Sequence, residues 1–180
     1  MRPGISVDSS TAVGAGVPAS GGRPPLSLKG RALRLLAQRE HSRAELERKL
    51  QVHEQQEGEL RDALDALQTK GFINDERVAD SVVHRRSSKL GANRVKVELQ
   101  AKGLDDAVVR DAVEALRATE HQRAVEVWRK KFGRPASDAT ERARQMRFLA
   151  ARGFAAEVVR RVVNGAVGWD EADHSLDASD

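Results

Sequence analysis

No cysteine occurs among the 180 residues, which excludes disulfides, thiolate zinc sites and a thiol nucleophile. Tyrosine is absent as well, and the aromatic share is only 3%. A core must therefore be assembled from Leu, Val and Ala, a composition that suits helices. No apolar run approaches the roughly 20 residues of a membrane span, and the N-terminus has no continuous apolar core of signal-peptide type. These absences predict a cytoplasmic protein without membrane contact. Proline is scarce too: four of the five lie in the first 25 residues, leaving only Pro135 to interrupt the rest.

The machinery of catalysis is equally sparse. His41, His53, His84, His121 and His174 are scattered, and none stands in metal-ligand spacing, so neither a metal nor a cofactor is expected. Gly91-Ala92-Asn93-Arg94-Val95-Lys96 resembles part of a phosphate loop but lacks the second Gly and the Lys-Ser/Thr end. It reads as a helix start, with Gly91 relieving the turn. Asp75-Glu76 and Asp105-Asp106 are paired carboxylates in sequence, yet each opens an expected helix, where acidic side chains favour the positive end of the dipole. No nucleophile, base and positioning partner fall together, and an enzyme is not expected.

What the chain has is charge. Charged residues make up 32% of it, with 31 Lys and Arg against 27 Asp and Glu. Residues 1–27 take Arg2, Arg23 and Asp8, and residues 168–180 take Asp170, Glu171, Asp173, Asp177 and Asp180. Residues 28–167 then keep 29 basic and 21 acidic side chains, a net of +8. Such a body attracts phosphate backbones or acidic protein surfaces. The candidate binding face comprises Arg85 and Arg86, Arg94 and Lys96, Lys102, then Arg129, Lys130 and Lys131, Arg142, Arg144 and Arg147, and Arg152. A solvated, merely solubilising face is the plainer reading of the same residues.

Residues 1–27, rich in Gly and Pro and without periodicity, predict a disordered leader, and residues 168–180 an acidic tail. Between them apolar residues recur at helical spacing, with breaks at Gly or at Ser, Asn and Asp. An internal repeat of about 50 residues organises the pattern. Leu46 with Lys49-Leu50, Leu99 with Lys102-Gly103 and Leu149 with Arg152-Gly153 share one order, and each is followed by an apolar stripe. The stripes are Leu60, Leu64, Leu67; Val109, Val113, Leu116; and Val159, Val163, Ala166. A leading helix precedes each copy: Ala32, Leu33, Leu36; Val78, Ala79, Val82; and Ala124, Val125, Trp128. The expectation is an all-α protein of three tandem three-helix repeats, over residues 28–73, 74–117 and 118–167. Stacked side by side they would form an elongated, curved body. Ser42 with Glu45 predicts a capping box, and Asn74 or Asp75, Asp105 and Asp138 predict further helix starts. Trp128, Phe132, Phe148 and Phe154 are expected in the core rather than as stacking platforms.

Three ordered stretches carry a family resemblance. Residues 31–46, RALRLLAQREHSRAEL, resemble the opening of RecX family proteins. Leu67 through Gly71-Phe72-Ile73-Asn74-Asp75-Glu76-Arg77-Val78-Ala79 resembles the family's second block, and Gly91 to Leu104 its third. The resemblance implies three tandem three-helix repeats and binding to RecA filaments on DNA, restraining ATP hydrolysis, strand exchange and coprotease function; separately, a monomer is expected. Binding to single- or double-stranded DNA is implied as well; no cofactor and no catalytic residue is. The chain departs from the family pattern at Val78, where an aromatic is expected, and at Asn74-Asp75, where an acidic pair is. His53-Glu54-Gln55-Gln56 also lengthens the second turn of the first unit. Two readings compete: a free-standing DNA-binding module whose three-helix unit acts like a helix-turn-helix, and a helical adaptor without a nucleic-acid role.

Overall fold

The computed structural model describes residues 26–165, so most of the expected leader, the acidic tail and Ala166 lie outside the described residues. Among the described residues there are nine α-helices and no strand. In chain order they are α1 (Leu28–Leu36), α2 (Arg43–Leu50), α3 (Glu59–Thr69), α4 (Asp75–Arg86), α5 (Ala92–Ala101), α6 (Asp106–Ala118), α7 (Glu120–Lys131), α8 (Ala139–Ala151) and α9 (Ala156–Gly165). The all-helical, three-repeat architecture read from the sequence is the architecture observed. The final two residues of the expected leader differ: Ser27 caps α1, accepting from the Gly30 N–H at 3.2 Å, and the Leu26 carbonyl accepts from Arg31 Nε.

Each repeat has its own apolar cluster. In the first, Leu46 and Leu50 of α2 meet Leu60, Leu64 and Leu67 of α3, with Ala32 of α1 between them. In the second, Val78 and Val82 pack on Val95, Leu99, Val109 and Leu116. In the third, Trp128 and Leu149 meet Phe154, Val159, Val162 and Val163. Burying each of these larger side chains contributes on the order of 1.5–3 kcal/mol, so three small cores, not one large one, hold the chain.

The helix starts follow local chemistry. Ser42 and Glu45 form the reciprocal capping box, Asn74 accepts from the Arg77 N–H, Asp105 from Ala107 and Asp138 from Glu141. At the expected stops, Gly103 and Gly153 adopt φ of +71° and +82°, the left-handed conformation that closes a helix. The first copy has no such glycine, and a 3-10 turn over Gln51–His53 closes α2 instead.

The middle helices of the three repeats are joined end to end. At the first junction the Ser42 hydroxyl, at the start of α2, donates to the Lys102 carbonyl at the end of α5, at 2.6 Å. At the second, the Gly91 N–H at the start of α5 donates to the Arg152 carbonyl at the end of α8, at 2.9 Å, and Asn93 N–H to Gly153 at 3.2 Å. At the second junction the free N–H groups at the start of one helix thus meet carbonyls at the end of the next, while at the first the Ser42 hydroxyl takes that place. Gly91 departs from the sequence reading in one respect. Its φ is −77°, so the turn itself does not demand glycine. A Cβ there would lie 2.3 Å from the Phe154 nitrogen, so it is the close approach of two backbones that does.

Two further clamps lock repeats two and three together. Arg123 of α7 donates to the carbonyls of Ser87 (2.9 Å), Leu90 (2.8 Å) and Leu116 (2.7 Å). Buried Glu120 accepts from the Ala92 N–H at 2.8 Å, adding an acidic cap to the start of α5. Burial holds the Arg123 guanidinium below its ordinary range, against the opposing pull of Glu120 and Glu126.

Candidate binding face

At the junction of repeats one and two, Glu45 is the centre of a charge cluster. Arg39 Nη2 reaches it at 3.1 Å and Lys102 Nζ at 2.8 Å, and its side chain is only 10% exposed. Burial alone would raise this carboxyl; hydrogen bonds from Arg39, Lys102 and the Ser42 N–H outweigh that and hold it down at about 2. His41 is buried beside it, its Nδ1 3.0 Å from the Arg39 carbonyl and its Nε2 3.3 Å from Lys49 Nζ. Burial, then the nearby Arg39 and Lys49 charges, lower its affinity for a proton despite the Arg39 carbonyl, so the neutral ring accepts from Lys49. This cluster joins helices. Lys102, one of the sequence-derived candidates, is 15% exposed and committed to it.

The other candidates are distributed unevenly. Arg86 pairs with Glu98 at 3.0 Å, and Arg85 folds back on the Ser81 carbonyl at 3.0 Å. Arg94 is exposed, but its backbone lies against Gly153 at the second junction. Lys96 lines a groove between α5 and α6 with Arg110 and Arg117, whose charges are interleaved with Asp106 and Glu114. Arg129 is exposed on α7, and Arg142, Arg144 and Arg147 are exposed along α8.

Lys130, Lys131 and Arg152 converge. They line a cavity of about 320 Å³ with Ser88, Lys89, Val127 and Phe148, at the junction of repeats two and three. Arg152 lies over the Phe148 ring, 3.6 Å from its centroid, and Phe132 meets that ring edge-on at 5.1 Å. The cavity therefore has an apolar floor and a positive rim. Among the described residues Lys89, Lys130 and Lys131 form no ion pair within 4.0 Å, whereas in repeat one Arg39, Arg43 and Arg61 each do. Lys89 was missing from the sequence-derived set, because it comes from the α4–α5 connection of the preceding repeat.

A second feature is the uneven distribution of charge among the repeats. Residues 26–74 and 75–118 each hold 9 Lys and Arg against 8 Asp and Glu, while residues 119–165 hold 11 against 5. The third repeat thus carries +6 of the body's net +8. Of its acids, Glu120 is buried on the Ala92 N–H, and Glu141 is held low by the Ser137 N–H and hydroxyl with help from Arg134 and Arg144. Positive potential is concentrated at one end of the array.

Among the described residues no group of three or more His, Asp or Glu is placed to hold a metal ion, and no helix is long and apolar enough to cross a membrane. The fold and this face define a tandem three-helix repeat protein with a strongly cationic terminal repeat. Residues 74–113 match the family model for the second three-helix domain of RecX, and residues 118–163 the model for the third. Regulatory protein RecX of Leptothrix cholodnii is 53% identical over 141 residues, covering 78% of this chain and 90% of the relative. That of Ralstonia nicotianae is 47% identical over 144 residues, covering 80% and 91%. The crystal structure of RecX from Lactobacillus salivarius superposes with a TM-score of 0.67 at 20% identity, over 78% of this chain and 94% of that one. The chain belongs to the RecX family of regulatory proteins.

Proposed function

We propose that this protein restrains RecA recombinase by docking, as a cytoplasmic monomer, onto RecA filaments assembled on DNA, lowering ATP hydrolysis, strand exchange and coprotease function. Membership of the RecX family supports the partner, and the concentration of cations on the third repeat supports the mode of contact. The row of repeats spans more than one filament subunit. Lys130, Lys131 and Arg152, with Arg129, Arg142, Arg144 and Arg147 nearby in sequence, meet phosphates or acidic side chains of the filament. Arg85, Arg86, Arg94 and Lys96 extend this face onto the second repeat, while Lys102 supports it from within. Each phosphate neutralised releases about one counterion, so the affinity falls steeply with salt, by a log–log slope of roughly −0.9 per contact on duplex DNA and −0.7 on single strands.

Titrating RecA-catalysed ATP hydrolysis on single-stranded DNA with the purified chain tests this reading, with a basic helical protein of similar size as control. Inhibition well below one molecule per RecA subunit is the expected result. Inhibition that sets in only when the DNA is saturated would replace filament docking by a free-standing DNA-binding protein.

A further inference from the structure

The cavity at the junction of repeats two and three has two surfaces that ask for different chemistry. Lys89, Lys130, Lys131 and Arg152 make a cationic rim, while Val127 and Phe148 make an apolar floor. A duplex backbone would meet the rim and leave the floor wet. An acidic peptide segment carrying a few apolar side chains satisfies both.

This chain contains such a segment directly after α9. Residues 166–180 carry Asp170, Glu171, Asp173, Asp177 and Asp180 with no Lys or Arg, and Trp169 and Leu176 lie among them. Their five negative charges nearly match the +6 of the repeat from which they issue. We propose that this acidic segment docks in the cationic cleft between α7, α8 and the α4–α5 connection, and that a polyanion must displace it to bind there. The displacement rests on the function proposed above; the docking does not.

Reach is sufficient. α9 packs on α7 and α8, the two helices that wall the cleft. At about 3.3–3.6 Å per residue, the chain beyond Gly165 can extend roughly 17 Å to Asp170 and roughly 40 Å to Asp177. A segment tethered this closely acts at an effective concentration on the order of 1 mM. A free-peptide Kd of about 0.1 mM would then keep about nine molecules in ten closed, lowering the apparent affinity for a competing anion about tenfold. The contact is between exposed charges, so it weakens as salt shortens the screening length from about 10 Å at 0.1 M to about 3 Å at 1 M.

Trp169 reports on the docking in the full chain, with neither DNA nor RecA present. The other tryptophan, Trp128, is 2% exposed, and its signal is isolated in a Trp169→Phe variant. Acrylamide quenching of Trp169 is expected to be several-fold weaker at 20 mM than at 500 mM NaCl, and this protection should vanish at both salts in Lys130→Glu/Lys131→Glu. Equal quenching of Trp169 in wild type and variant at low salt overturns the docking. In parallel, a full chain with Asp170→Asn, Glu171→Gln, Asp173→Asn and Asp177→Asn is expected to bind a fluorescent dT oligonucleotide about tenfold more tightly at low salt. Unchanged affinity overturns the displacement. A protected Trp169 in a protein with no affinity for oligonucleotide or filament in either form would sustain the docking and refute the proposed function, so the two ideas fail separately.

Discussion

Substituting Gly91 by Ala isolates the contribution of one inter-repeat junction. At φ −77° alanine suffers no backbone strain, so whatever the change costs comes from the junction itself. The added Cβ would sit 2.3 Å from the Phe154 nitrogen and 2.4 Å from the Gly153 carbon and oxygen. Backbone cannot rotate out of the way as a side chain can, so α5 must withdraw from α8 by about 1 Å to restore ordinary contact. The hydrogen bonds Gly91 N–H to Arg152 and Asn93 N–H to Gly153 then stretch or break. Each contributes about 1 kcal/mol net, and leaving a buried group unpaired costs about 1–3 kcal/mol, which places the loss at roughly 2–4 kcal/mol. For a chain of this size that is about 5–12 °C in melting temperature. Gly71 is the comparator: its φ is +72° with nothing within 4 Å, so Gly71→Ala bears only the left-handed penalty of about 1–2 kcal/mol. Gly153→Ala combines both costs, since its φ is +82° and its Cβ would lie 2.5 Å from the Arg94 nitrogen. Thermal unfolding followed by far-UV circular dichroism should rank the losses Gly71→Ala, Gly91→Ala, Gly153→Ala in increasing order. A Gly91→Ala protein as stable as Gly71→Ala, or more so, would refute the end-to-end junction.

The first junction predicts a pH dependence. The Glu45 carboxyl is lowered in the folded state to about 2, so its contribution is complete above its ordinary value near 4.5 and is lost as the pH falls toward 2. That change corresponds to about 3 kcal/mol, and urea midpoints of Glu45→Gln should lack this part of the wild-type acid slope; parallel slopes from pH 6 to pH 2.5 would contradict it. Arg123→Met removes the clamp on the Ser87, Leu90 and Leu116 carbonyls, and a loss of about 2–4 kcal/mol in chemical unfolding is expected, against under 1 kcal/mol for exposed Arg110→Met. Lys130→Glu/Lys131→Glu should weaken binding to a single-stranded oligonucleotide and flatten the log–log salt slope by about one to two, read from anisotropy titrations at several NaCl concentrations. An unchanged slope would move the contact elsewhere.

The repeats were legible because each helix must bury one stripe, and that stripe recurs at helical spacing in Leu60, Leu64, Leu67 and its two counterparts. Capping residues were legible for a related reason: the bond from Ser42 to Glu45 or from Asp138 to Glu141 closes within three residues. The junctions are different. Lys102 finds Glu45 57 positions away, and the repeated motif that marks Lys102 does not name the acid it meets. Gly91 was identified as a helix start but for the wrong reason, since its neighbour Phe154 belongs to another repeat. The cationic cleft likewise draws Lys89 from one repeat and Lys130, Lys131 and Arg152 from the next. Only the stacking of repeats brings them together, and one sequence does not encode that stacking locally.

Under the function proposed above, the cationic third repeat is what this protein applies to RecA filaments. The most direct test is the binding of wild type and of Lys130→Glu/Lys131→Glu to RecA filaments on fluorescent single-stranded DNA, at moderate salt, with circular dichroism confirming that both are folded. Wild-type binding at substoichiometric ratios and at least tenfold weaker binding of the variant are expected. Equal binding of the two would contradict that role.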